Sequence, residues 1–185
     1  MKVKLILFLF LLSTFTFSCK KGKNNPESCN GSSTRRDIKL VIDEAADDVD
    51  TIPIFATIDS LGSVDLPKAK SDLERQEIEK HVFTVTGTVE KVKKYRDGDY
   101  HIKLVDEDEN FMNCESPNFG CSYAPDSRFF EQFKTVREWI EEHEEELVGK
   151  ELTITGVGFI DIDHKYPRNA APNEIELHPI LDIGF

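Results

Sequence analysis

From His81 onward the hydrophobic period of the chain is two, and that period decides what it folds into. Phe83, Val85, Gly87 and Val89 alternate with Thr84, Thr86, Thr88 and Glu90, the pattern of a strand with one buried face. Asp97-Gly98 is a hairpin signal. Beyond it Tyr100, Ile102 and Leu104 alternate with His101, Lys103 and Val105, and Asp106-Glu-Asp-Glu-Asn110 turns into a third run, Phe111 to about Glu115. A helix follows. Asp126 or Ser127 can cap it, Phe129, Phe133, Val136, Ile140 and Leu147 share one face, and Gly149 stops it. Leu152 to about Ile160 and Ile175 to Ile183 read as two final strands.

Three strands, a helix and two strands predict a mainly β domain with one principal helix, an OB-fold-like five-stranded barrel over residues 81–185. Its expected core is Phe83, Val85, Val89, Ile102, Leu104, Leu152, Ile154, Ile175 and Leu177, closed by Phe133 and Ile140. Residues 37–80 read as an N-terminal extension. Asp37 to Asp43 looks like a short strand, Thr51 to Leu61 is apolar but Pro53 bars a central strand, and Ser71-Asp-Leu-Glu74 is a capping box for a short helix from Asp72 to Lys80. In an OB barrel, ligands meet the face of strands two and three and the loops at its rim. Here the long polar loop, from about Asp161 to Asn173, lies between the last two strands.

The first residues give an address. Met1-Lys-Val-Lys4 is cationic, Leu5 to Leu12 is apolar without interruption, and Ser13 to Ser18 leads to Cys19. That run is too short to span a bilayer and predicts a signal peptide over residues 1–18. Thr16-Phe17-Ser18-Cys19 resembles a bacterial lipobox. The resemblance implies a lipoprotein with diacylglycerol and a palmitate-type acyl chain on Cys19, anchored in the cell envelope and facing periplasm or exterior. Residues 19–36 read as a flexible tether. Export favours disulfides, and Cys114 and Cys121 enclose six residues that include Pro117 and Gly120, so Cys114–Cys121 is the expected pair. Residues 1–18 hold two lysines and no acid, so the remainder carries 21 Lys+Arg against 35 Asp+Glu, a net −14. Such a field disfavours nucleic acid as a partner and favours cations, basic partners or neutral ligands.

Val85-Thr-Gly-Thr-Val89, Asp97-Gly-Asp-Tyr-His-Ile-Lys-Leu104, Glu115-Ser-Pro117 with Cys121, Gly156-Val-Gly-Phe-Ile-Asp161 with His164, and Ile175-Glu-Leu-His-Pro179 together resemble an uncharacterised family of exported bacterial OB-fold-like proteins. That resemblance implies fold and export and brings no activity. Asp97-Gly-Asp99 and Glu115-Ser-Pro117 also resemble, more loosely, elements of the staphylococcal-type thermonucleases. That family has an arginine shortly before the second element, where this chain has Phe111-Met-Asn-Cys.

The side chains able to do chemistry are His101, Glu115, Asp161, Asp163, His164, Glu176 and His178. With Ile102, Leu104, Ile175 and Leu177 inward, His101, Glu176 and His178 point out of the barrel. In the OB order His101 and His178 flank Glu115 on one sheet face. The expected ligand site is therefore His101, Glu115 and His178, roofed by Asp161, His164, Tyr166 and Arg168. No catalytic residue is assigned and no cofactor is required, although two histidines with a carboxylate are the donor types that hold zinc or a similar divalent cation. The leading expectation is a non-catalytic, lipid-anchored binding module for a small-molecule or protein ligand. A metal-dependent hydrolase of nuclease-like ancestry and a structural subunit docking through residues 37–66 are the alternatives. Replacing Cys19 by Ala should move the protein from the membrane to the soluble fraction on fractionation; a variant that stays with membranes contradicts the anchor.

Overall fold

The computed structural model describes residues 33–162 and 171–185. Cys19 and Cys29, together with Asp163, His164, Tyr166 and Arg168, lie outside these. Six strands form one sheet: β1 (Asp50–Phe55), β2 (His81–Lys94), β3 (Tyr100–Val105), β4 (Phe111–Ser116), β5 (Glu151–Ile160) and β6 (Ile175–Gly184). The order is β1-β2-β3-β4-β6-β5, and a β2–β5 pairing closes the last five into a barrel. The principal helix lies between β4 and β5, so the architecture is the OB-like barrel that the periodicity calls for.

The strand parity holds as read. Ile102, Leu104, Leu152, Ile154 and Leu177 are fully buried in the barrel core with Val85, Val89 and Ile175. On the opposite face Thr84 pairs with Thr155 at 2.8 Å and Thr86 with Thr153 at 3.0 Å, a cross-strand ladder suited to β-branched residues. Gly156 lies where β5 crosses closest to β6. A Cβ there would meet the Leu177 Cβ and the Pro179 carbonyl at 2.9 Å, so no larger residue fits without moving backbone.

Two shorter helices precede the barrel helix: α1 (Thr34–Leu40) and α2 (Ile58–Gly62), with α3 (Phe130–His143) the principal one. Several expectations are corrected here. Residues 34–40 are helical rather than extended. Ser33 caps α1 by accepting from the Arg36 N–H, and Val41 ends it in the left-handed region at φ 55°. Because α1 starts at Thr34 and buries Arg35, the last residues of the expected tether belong to the folded unit. The predicted helix at Asp72–Lys80 shrinks to a 3-10 turn, Glu77–Lys80. The carboxylate of Glu79 is drawn inward, accepting from Gln76 N at 2.8 Å and Ile160 N at 2.9 Å, which tightens the turn.

Phe133 does not close the barrel. It packs with Val41, Val49, Val82, Ala124, Phe129 and Val157 in a second cluster, while Val136 and Ile140 close the barrel core itself. No side chain caps α3; the Ser127 hydroxyl accepts only from Phe129 N, at 3.3 Å. Pro53 has its expected consequence, since β1 is an edge strand paired in parallel with β2 alone.

The expected Cys114–Cys121 bridge is not formed. Cys114 is a free, fully buried thiol in the barrel core, alternating inward with Met112, whereas Cys121 lines a cavity outside the barrel. The sheet stands between them. Cys121 is disulfide-bonded, with a partner other than Cys114.

Buried ion pairs fasten α1 to this frame. The Arg35 guanidinium binds the Glu79 carboxylate, donates to the Ile160 carbonyl and lies 4.4 Å above the Phe159 ring. Arg75 reaches across to Asp43 and donates to the Ile38 carbonyl at 3.1 Å.

Candidate functional site

The outer face of β3, β4 and β6 carries a cluster whose members come from the register of the sheet. His101 on β3 is the cross-strand partner of Glu115 on β4. The parallel pairing of β4 with β6 sets Asn113 beside Glu176 and Cys114 beside Leu177, which brings His178 to the other side of Glu115. Each lies one residue from an inward core position, so parity turns all of them outward.

Glu115 is the centre. Its Oε1 lies 2.6 Å from His101 Nδ1, and its Oε2 accepts from His178 Nδ1 at 3.1 Å and from Lys39 Nζ, on α1, at 2.7 Å. Lys39 also stands 3.6 Å from Glu176 Oε1. Although it faces out of the barrel, Glu115 is 1% exposed, Glu176 2% and His178 0%, because α1 covers the face. These are buried charges, and they persist only because they are paired.

The protonation states follow from that packing. Burial alone would raise Glu115, but Lys39 and the hydrogen bonds from His101 and His178 outweigh it and hold the carboxyl well below the usual range. Glu176 goes the other way. Burial first, then the neighbouring Glu115 charge, push it well above its ordinary value, so Glu115 ionises before Glu176 does. Burial would depress Lys39, yet Glu115, Glu176, Asp161 and Asp99 together hold it above its ordinary value as a permanent cation. His178 drops to about 4, through burial and then Lys39, and is neutral at neutral pH. A carboxylate only accepts, so the Nδ1 of that neutral ring carries the proton and Nε2 keeps its lone pair. Nε2 is buried and has no hydrogen-bond partner among the described residues; the same is true of Glu176 Oε1.

Beside the cluster is a cavity of about 390 Å³ whose lining includes Arg36, Lys39, Asp99, Tyr123, Asp161 and His178. Asp99 ends the β2–β3 hairpin and accepts from Asn118 N at 2.7 Å. Burial, chiefly, lifts its pKa to about 6. The hairpin is clamped: Gly98 takes φ 90° with Asn118 packed against it, and Arg137 of α3 donates to the Gly98 carbonyl at 2.7 Å. On the other side His101 stacks on Tyr95, with centroids 4.1 Å apart, and lines a separate cleft with Lys93 and Lys103. Glu115 therefore joins two clefts through one histidine at each end.

The structure thus brings together His101, Glu115 and His178, and places Asp161 on the adjoining cavity. His164, Tyr166 and Arg168 lie outside the described residues. The roof found over the cluster is α1, and sequence reasoning missed its Lys39 as well as Asp99. Lys39 was hidden inside a segment whose apolar residues read as a strand. The signal that could have found it is Ser33 followed by a turn of helix-compatible residues, a sequence-level N-cap. Asp99 was present in Asp97-Gly-Asp99, read there as a turn.

No family model and no curated protein sequence matches the chain. Among solved structures it is similar to asparaginyl-tRNA synthetase of Entamoeba histolytica, at 14% identity and a TM-score of 0.40, covering 73% of this chain and 24% of that one. It is also similar to the same synthetase in complex with asparaginyl-adenylate, at 15% identity and a TM-score of 0.37, covering 56% of this chain and 20% of that one. The chain spans about a quarter of those proteins or less, and the likeness brings no activity with it.

In a histidine 15N NMR titration His178 should protonate near pH 4 and stay a neutral Nδ1–H tautomer above it. A midpoint near the ordinary 6.5 contradicts the buried, Lys39-facing environment.

Proposed function

We propose that the protein is a non-catalytic binding module, lipid-anchored in a bacterial cell envelope, which holds a small polar ligand in the cavity between α1 and the outer face of β3, β4 and β6. One observation carries the reading. At the cavity wall the buried His178 keeps an Nε2 with no partner among the described residues, an acceptor that a ligand's donor can meet. The volume falls within the range of small-molecule sites, and a lining that includes Arg36, Lys39, Asp99, Asp161 and His178 suits a polar ligand. Catalysis has less support. Both oxygens of Glu115 are engaged by Lys39, His101 and His178, and although Nε2 of His178 keeps a lone pair, no nucleophilic hydroxyl or thiol lies within hydrogen-bond distance of it among the described residues. The anchor rests on the leader and Cys19.

A second reading, a structural subunit docking through residues 37–66, is favoured by β1, where Ile52, Ile54 and Phe55 are exposed on an edge strand. Phe55→Ser would impair such docking and leave the cavity unaltered.

An NMR screen of small amines, amino acids and sugars against the 15N-labelled protein tests the main reading. Binders should shift Lys39, Asp99, Asn118 and His178, and His178→Ala should abolish those shifts with the rest of the spectrum retained. Binders that shift only the groove of Trp139 and Leu181 between α3 and β6, or shifts that survive His178→Ala, overturn it.

A further inference from the structure

We propose that Glu115, Glu176 and His178 form a binding site for a divalent transition-metal cation of the zinc class, at the position held by the Lys39 ammonium, with Asp99 as a fourth donor. The inference goes beyond the cavity reading above, since the metal takes Nδ1 of His178 and not the Nε2 on which that reading rests.

The donor atoms lie close to one another. Glu115 Oε2 and His178 Nδ1 are 3.1 Å apart, and His178 Nδ1 and Glu176 Oε1 are 3.7 Å apart. Ligands at zinc's usual bond lengths of about 2.1 Å sit about 3.4 Å from one another in a tetrahedron, so both separations bracket the required edge. An Asp99 oxygen lies within 4.8 Å of a donor atom of Glu115 and of a ring nitrogen of His178.

The ammonium occupies this place imperfectly. Lys39 Nζ bonds Glu115 at 2.7 Å but stands 3.6 Å from Glu176 Oε1. That oxygen is buried and without a hydrogen-bond partner among the described residues. A polar atom so placed is costly unless something meets it. A cation centred among the three donors satisfies Glu176 and Glu115 together. Imidazole with carboxylates selects zinc-like ions over magnesium or calcium, which prefer oxygen alone.

Entry needs three adjustments, the first being release to solvent of any proton on Glu176, as metal binding requires of its ligands. Lys39 withdraws toward the cavity mouth, where its side chain is already 21% exposed. The His178 proton moves from Nδ1, which becomes the ligand, to Nε2, which faces away from the metal. Lys39 is thus a tethered competitor for the metal, and loading the site loosens the hold of α1 on Glu115.

The test is a Zn2+ titration of the full chain, by calorimetry and histidine 15N NMR. One Zn2+ should bind per chain, with the His178 signals reporting a change from the Nδ1–H to the Nε2–H tautomer. Glu176→Gln keeps shape and fold and should weaken binding at least about tenfold, by the scale on which metal-site substitutions act. Lys39→Met should tighten it. Mg2+ and Ca2+ should leave His178 unmoved. Absence of Zn2+ binding at millimolar concentration overturns the metal site and leaves small-ligand binding in the cavity standing. Binding indifferent to Glu176→Gln, or weakened by Lys39→Met, overturns it equally.

Discussion

One buried carboxylate organises this molecule. Glu115 sits outside the barrel yet out of water, and an ion in that position survives only where the surrounding groups replace its hydration. Lys39 from α1, His101 from β3 and His178 from β6 do so. Each comes from a different element, so the requirement to satisfy one side chain ties helix, hairpin and final strand into a single arrangement. The ion pairs Arg35–Glu79 and Arg75–Asp43 serve the same end a few residues away, where they fasten α1 over the sheet. Removing one partner from such a pair costs about 3–5 kcal/mol because the other charge is left buried and uncompensated. The N-terminal extension is therefore held to the barrel by charge as much as by the apolar contacts of Ile38 and Val41.

The same arrangement closes Glu115 to further partners and leaves His178 open at one nitrogen. Glu115 has given its oxygens to three internal donors, whereas His178, oriented by it through Nδ1–H, keeps a lone pair on Nε2. Beside Glu115, Nε2 of His178 and Oε1 of Glu176 have no hydrogen-bond partner among the described residues. Two clefts flank this carboxylate. One is bordered by Asp99, Asp161 and Lys39, the other by Lys93, Lys103 and the Tyr95–His101 stack. A change in the charge around Glu115 on one side is felt by the histidine on the other, because both share its oxygens.

Much of the barrel was legible in the sequence, and for a physical reason. Side chains alternate strictly along a strand, so Ile102 and Leu104 inward oblige His101 outward, and Leu177 inward obliges His178 outward. The OB strand order then sets both beside Glu115 before any coordinate is known. The extension was not legible in that way. Helix α1 has only seven residues, too few for a helical period to show, and Ile38, Leu40 and Ile42 alternate as a strand would. Its helicity comes from the Ser33 cap and from the tertiary bonds of Arg35, neither of which periodicity records. Parity could have cautioned against the Cys114–Cys121 pair, since Cys114 shares the inward phase of Met112; loop length and turn residues outweighed that signal. The capping box at Ser71 gave way because Arg75 and Glu79 had partners elsewhere in the fold, and tertiary pairing overrode local preference.

The contact between Lys39 and Glu115 joins the extension to the barrel and the site to the fold, so its strength is the most direct test. A double-mutant cycle with Lys39→Met and Glu115→Gln, read by chemical denaturation, isolates it. A coupling energy on the order of 2 kcal/mol is expected for a buried, hydrogen-bonded charge pair. A coupling below about 0.5 kcal/mol, the additivity of independent sites, would mean that α1 lies over this face without being held by it, and would contradict the account.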